Sequence, residues 1–183
     1  MTAVIEQQAP SRAGEATALT FRHPVSDDGK KVWDLIASCP PLDQNSLYCN
    51  LLQCSHFAST CMVAERDGAL AGWISAYRPP EEPETLFVWQ VAVSEKARGV
   101  GLGKALIGAL LASEGARGVA RIKTTITEDN AASWALFNGA ASALKTSIEH
   151  VALFERDRHF GGRHDTEFLV TIGPFEAGAR SLL

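Results

Sequence analysis

The chain is 183 residues long, 46% apolar and 21% charged, the size and mix of one ordinary globular domain. Its formal charge of -4 carries no basic excess, which argues against a nucleic-acid partner, and no apolar run has the length of a membrane span or a secretory signal, so the reading is of a cytoplasmic protein. The four cysteines, Cys39, Cys49, Cys54 and Cys61, match no metal-knuckle spacing and are expected as reduced thiols with no metal bound.

Residues 1–18 are polar and alanine-rich, carry Pro10 and Gly14, and are expected to form a disordered tail. The folded domain is expected over 19–173, with 174–183 as a C-terminal tail. A short strand at 19–22 ends before Pro24. Ser26 can then cap a helix over 27–38, with Val32, Leu35 and Ile36 on its apolar face. Pro40-Pro41 stops that helix. A second helix is predicted over 45–54 with Leu47, Leu51 and Leu52 turned inward.

Two β-rich runs, 61–65 and 70–77, flank Asp67-Gly68 and read as a hairpin. The nearly continuous apolar run 85–93 predicts a central strand covered on both faces. Leu102, Ala105, Leu106, Ala109 and Leu110 then recur at the spacing of one helical stripe. A strand follows at 121–127, and Asn130 caps a helix over 131–144. Two late strands, 149–154 and 166–172, enclose a polar, glycine-bearing loop over 155–165, of a kind that often carries function. Strands mixed with helices in this order predict an α/β layer fold around one mixed sheet of about six to seven strands.

The most informative local pattern is the passage from Val91 and Val93, at the end of the central strand, through Arg98-Gly99-Val100-Gly101-Leu102-Gly103 to Lys104. Glycines let backbone amides turn toward a ligand, and the helix opening behind them adds unpaired N–H groups and partial positive charge. Together these suit a pyrophosphate, with Arg98 and Lys104 supplying full charges. The spacing is neither the GxGxxG of a dinucleotide fold nor a loop ending in GK[ST].

Arg98-Gly99-Val100-Gly101-Leu102-Gly103 resembles the [QR]xxGx[GA] acetyl-CoA loop of the GNAT acetyltransferases, and the element order is similar to theirs. The resemblance implies acetyl-CoA as cosubstrate, held by the backbone at Val91 and Val93, by residues 98–104 including Val100, and by Asn130 and Ser133 on the following helix. A narrower resemblance, to the L-2,4-diaminobutyrate acetyltransferases of ectoine biosynthesis, lies in four segments. They are Pro40-Pro41-Leu42-Asp43-Gln44-Asn45-Ser46-Leu47-Tyr48, the run 87–93, the run 125–134, and His159-Phe160-Gly161-Gly162-Arg163-His164-Asp165-Thr166-Glu167. It implies acetylation of the γ-amine of a small diamine, an osmoprotectant role and a homodimer.

A diamine with one carboxylate wants acceptors for two ammonium groups and a donor for its acid. By the same resemblance the acceptors are Asp43 and Glu167, with Tyr48 and His164 beside them and Trp89 offering a face to a cation or the short carbon chain. Glu167, then Asp43, are the candidate bases. Each has a structural alternative: Asp43 as a helix cap, Glu167 as a solvated strand end, Trp89 as core, Tyr48 as an amphipathic surface residue and His164 as a plain loop histidine. Many GNAT enzymes place a proton-donating tyrosine where this chain has Phe137, which leaves protonation of the thiolate open.

Overall fold

The computed structural model describes residues 19–176 and Leu183. The tail predicted over 1–18, and most of that over 174–183, lie outside the described residues. Among the described residues, seven strands form one sheet in the order β1-β2-β3-β4-β5-β7-β6. They are β1 (Thr20–Arg22), β2 (Cys61–Arg66), β3 (Ala69–Tyr77), β4 (Thr85–Val93), β5 (Arg121–Thr127), β6 (Ile148–Phe154) and β7 (Glu167–Ile172). Every neighbouring pair is antiparallel except β4 and β5. Asp67 and Gly68 both take positive φ, and so close the β2–β3 hairpin where the sequence predicts it.

Among the described residues, five α-helices complete the fold: α1 (Gly29–Ala37), α2 (Leu47–Ser55), α3 (Leu102–Ala112), α4 (Ala131–Ala143) and α5 (Arg156–Phe160). On one face of the sheet, Val32, Leu35 and Ile36 of α1 pack with Cys54, Val63, Trp73 and Ala92. On the other, α3 and α4 bury Leu102, Leu106, Leu110, Phe137 and Ala140 against Ile74, Leu86, Val88, Ile122 and Ile126. That larger core also takes in Phe175, beyond the last strand.

The helices depart from the sequence reading in four places. A single turn of 3-10 helix at Ser26–Asp28 precedes α1, and Ser26 caps nothing. The anchor is Asp28, whose carboxylate accepts from Val25 N at 2.9 Å and from both terminal nitrogens of Arg22 at 2.6 and 2.9 Å. In α2 the buried residues are Asn50, Gln53 and Cys54 rather than the leucines. Asn50 Nδ2 donates to Gln53 Oε1 at 2.9 Å, so two amides share the inner face, while Leu51 packs sideways onto Gly29 where a Cβ would lie 2.6 Å from it. In α3 the buried stripe includes Ile107 and Leu111, and Ala105 and Ala109 lie half-buried at its margin. The predicted loop over 155–165 contains α5, whose first turn is fastened by Glu155 N to His159 Nδ1 at 2.8 Å and by Arg156 N to Thr166 Oγ1 at 3.1 Å.

The central strand also differs, and this difference makes the site. β4 pairs with β5 only through Thr85↔Arg121, Leu86↔Ile122 and Phe87↔Lys123. Beyond Phe87 the two strands part, so β4, whose Leu86 and Val88 meet one core and Ala92 the other, has an open edge there. Opposite β3, Ser75 pairs with Gln90 and Ala76 with Val88, which leaves Trp89 as an extra residue. Such a bulge bends a strand and re-aims its side chains. Val88 and Val91 both meet the α3–α4 core. Trp89 and Gln90 between them therefore face the α1–α2 side, and Trp89 is 49% exposed.

Candidate active site

The gap between β4 and β5 opens into a cavity of about 520 Å³. One wall is Val88 to Val91, the other Thr124 to Thr127 and Glu167, and the loop between α1 and α2 covers it with Pro41, Leu42, Asp43 and Asn45. The turn leading into β7 adds Arg163, His164 and Asp165. Asp43, Trp89, His164 and Glu167, from three separate segments, thus line one space. His164 Nε2 stands 3.6 Å from Asp43 Oδ2 and 3.8 Å from Glu167 Oε1. Its Nδ1–H donates to Asp165 O at 2.8 Å, which fixes the ring and leaves Nε2 facing the two acids.

Burial shapes the chemistry of this trio. It pushes the Glu167 carboxyl above its ordinary value, against the opposing influences of Thr125 and His164. Its Oε2 is buried and meets no donor at hydrogen-bond geometry, though the Thr125 side chain nearby stabilises the ionised carboxylate. His164 is shifted upward, first by its bond to the Asp165 carbonyl and then by the charges of Glu167 and Asp43. A second orphaned atom in the lining, Gln90 Oε1, is also an acceptor. The site therefore suits a ligand rich in N–H donors and positive charge.

A second groove, about 620 Å³, meets the first at Pro41, Leu42, Val91, Asn130 and Ser133. It runs past Val93 to Arg98, Gly99, Gly101, Gly103 and Lys104. Gly101 takes φ 81° at the start of α3, a left-handed backbone that favours glycine, and no side chain caps the helix. The first N–H groups of α3, on residues that line the groove, therefore have no intrahelical or side-chain partners. The contrast with α4 is direct: there Asn130 Oδ1 accepts from Ser133 N at 3.0 Å. An anion is what the bare end of α3 suits. On the β5 side, β4 has no ladder partner over 88–93, so its backbone is free to pair with an extended ligand lying along the groove.

The profile of the acetyltransferase (GNAT) family matches residues 30–140, spanning the α1–α2 loop, β4, the glycine turn and most of α4. The chain belongs to the GNAT acetyltransferase family. An L-2,4-diaminobutyric acid acetyltransferase from Methylotuvimicrobium alcaliphilum is 51% identical over 87% of this chain and 92% of its own length. One from Halomonas elongata is 44% identical over 88% of this chain and 84% of its own. The structure of diaminobutyrate acetyltransferase from Paenibacillus lautus, in complex with L-2,4-diaminobutyric acid and coenzyme A, superposes with a TM-score of 0.83 at 40% identity. That superposition covers 87% of this chain and 97% of the other.

In this GNAT fold most of the residues singled out from sequence fall on the two joined cavities. Two do not. Tyr48 lies on the outer side of α2, 68% exposed, and Val100 sits at the tip of the glycine turn, equally exposed; neither lines either of these two cavities. Phe137 is buried and lines the first cavity from α4. Sequence reasoning passed over Gln90, Thr125 and Arg163, which also line it. For Gln90 a signal was present, a lone amide inside an otherwise apolar run.

Proposed function

We propose that this chain acetylates the γ-amine of L-2,4-diaminobutyrate from acetyl-CoA, giving N4-acetyl-L-2,4-diaminobutyrate as a step toward the osmoprotectant ectoine. The observation that carries the reading is the unpartnered, buried Oε2 of Glu167, held across His164 from Asp43 beside the groove that ends at α3. Two carboxylates on opposite sides of one small cavity match a short molecule with two ammonium groups. Arg163 in the same lining supplies a cation for the substrate carboxylate.

An alkyl ammonium near pKa ~10 must lose a proton before it can attack, at a cost of about 4 kcal/mol at neutral pH. Glu167, its carboxyl already raised by burial, is the group poised to take that proton. Asp43 then holds the second ammonium. The neutral amine attacks the thioester carbonyl where the two grooves meet at Val91, and strand N–H groups freed by the β4–β5 gap steady the oxyanion. Collapse of that adduct breaks the C–S bond, and the proton still in excess on the nitrogen passes to water or to the departing thiolate, leaving the amide and CoA with no acyl-enzyme. The γ-amine is the more basic of the two, so its selection depends on placement rather than reactivity.

The finer assignments follow from the same reading. We place the enzyme in the cytoplasm, in keeping with its buried, unpaired Cys39, Cys54 and Cys61. We propose that it assembles as a homodimer, which the exposed aromatic residues Phe57, Trp89 and Phe154 at one shared concavity support. The test of the activity is thiol release from acetyl-CoA with 2,4-diaminobutyrate, ornithine and putrescine, followed by NMR of the product. Turnover confined to diaminobutyrate with the acetyl group on the γ-nitrogen is expected. An α-acetyl product, or equal turnover of putrescine, overturns it.

A further inference from the structure

Gln90 holds a position that the chemistry above leaves unused. It is 8% exposed and follows the bulged Trp89 on β4. Its Nε2 donates to Asp43 O at 2.8 Å. A backbone carbonyl can only accept, so the atom facing it must be the amide nitrogen, and this settles which way the side chain is turned. The oxygen is thereby committed to the other direction. It is buried without a partner, and Gln90 lines the cavity.

An orphaned buried acceptor is expensive until a water or a ligand donor satisfies it. Only two such atoms in the described residues belong to this cavity lining, Gln90 Oε1 and Glu167 Oε2, and both accept. They differ in charge. A carboxylate stabilises an ammonium and so opposes its deprotonation. An amide oxygen accepts from an ammonium and from a neutral amine alike, and can hold the nitrogen in place while its proton leaves.

We propose that Gln90 is a substrate-binding residue: its Oε1 accepts a hydrogen bond from an amine of the bound diamine, while its Nε2 fixes the loop that carries Asp43. The inference rests on the diamine reading given under Proposed function. It makes the neutrality of this side chain functional. A third carboxylate here would hold the amine charged and slow the reaction.

The test compares Gln90→Met and Gln90→Glu with the unaltered enzyme, following thiol release against pH. Gln90→Met removes donor and acceptor at similar volume. It is expected to raise the KM for diaminobutyrate about tenfold or more, with the KM for acetyl-CoA unchanged. Gln90→Glu keeps an acceptor but adds charge. It is expected to move the acidic limb of the kcat/KM profile upward by about one pH unit. If Gln90 serves only to prop the loop, both variants lose rate to the same degree with the pH limb in place, and the proposal fails. Should Gln90→Met not fold, the limb of Gln90→Glu decides alone. An unaltered enzyme that does not turn over diaminobutyrate sinks the substrate reading instead.

Discussion

His164 Nε2 lies 3.6 Å from Asp43 Oδ2, joining the loop after α1 to the turn before β7. Glu167 Oε1 stands 3.8 Å away on the other side of the ring. These separations are too long for direct hydrogen bonds, so the imidazole sits between two acceptors that remain free to take N–H groups from a ligand.

Replacing Glu167 with glutamine separates its role in catalysis from its effect on stability. Loss of the carboxylate is expected to lower kcat/KM by about 10²–10⁴-fold, the usual contribution of a general base. Stability should move the other way. Burial raises the carboxyl above its ordinary value, so the ionised form destabilises the folded state at neutral pH, and that penalty disappears as pH falls through the ordinary carboxylate range. Glu167→Gln should therefore melt above the unaltered protein at pH 8, with the gap closing by about pH 4. Melting curves across that range check it, and a constant or negative gap contradicts the assignment.

His164 gives a binding signature. Its upward shift means that its protonated form stabilises the fold below pH 6.5, a gain that is lost as pH rises through the shifted value. A diammonium ligand placed against Asp43 and Glu167 opposes that proton. Binding near pH 7 should thus release protons, seen as a titration enthalpy that varies with the ionisation enthalpy of the buffer. His164→Gln should reduce the release. Identical proton counts in the two proteins would show that the ring does not sense the ligand.

At the start of α3 the expectation concerns the cosubstrate alone. A Cβ on Gly101 would meet nothing within 4 Å, so Gly101→Ala acts only through its φ of 81°. Left-handed backbone costs a non-glycine residue roughly 1–2 kcal/mol. Relaxing that strain would turn the first N–H groups of the helix off their target. The KM for acetyl-CoA should rise about tenfold, with the KM for the diamine unchanged. A parallel rise in both would mean that the turn supports the fold rather than the anion.

Much of this architecture is legible in the chain. The limits of β4 and β5 follow from dense β-branched runs between turn residues, and the hairpin from Asp67-Gly68. The anion site is readable because glycine spacing and a helix start are local features. Three things are not local. Asn50 and Gln53 share a single bond in the interior, leaving Asn50 Oδ1 and Gln53 Nε2 buried without partners, an arrangement no hydropathy pattern reports. The Trp89 bulge depends on the register of β3 against β4. The cavity itself exists because β4 and β5 pair at only three positions, and the role of Gln90 rests on the direction of a single amide.

Phe137 tests which step limits the rate. It lies buried on α4, one helical face with Asn130 and Ser133, and lines the cavity where the thiolate would depart. A thiol of pKa ~8.5 leaves tolerably without full protonation, whereas the attacking amine begins about three units on the wrong side of neutrality. Amine deprotonation should therefore dominate the barrier. On this account Phe137→Tyr, which only adds a hydroxyl, should change kcat by less than about threefold, since a gain there would require the leaving group to control the rate. Steady-state kinetics with acetyl-CoA at saturation check this. A tenfold rise would move the bottleneck to the sulfur and take the leading catalytic role away from Glu167.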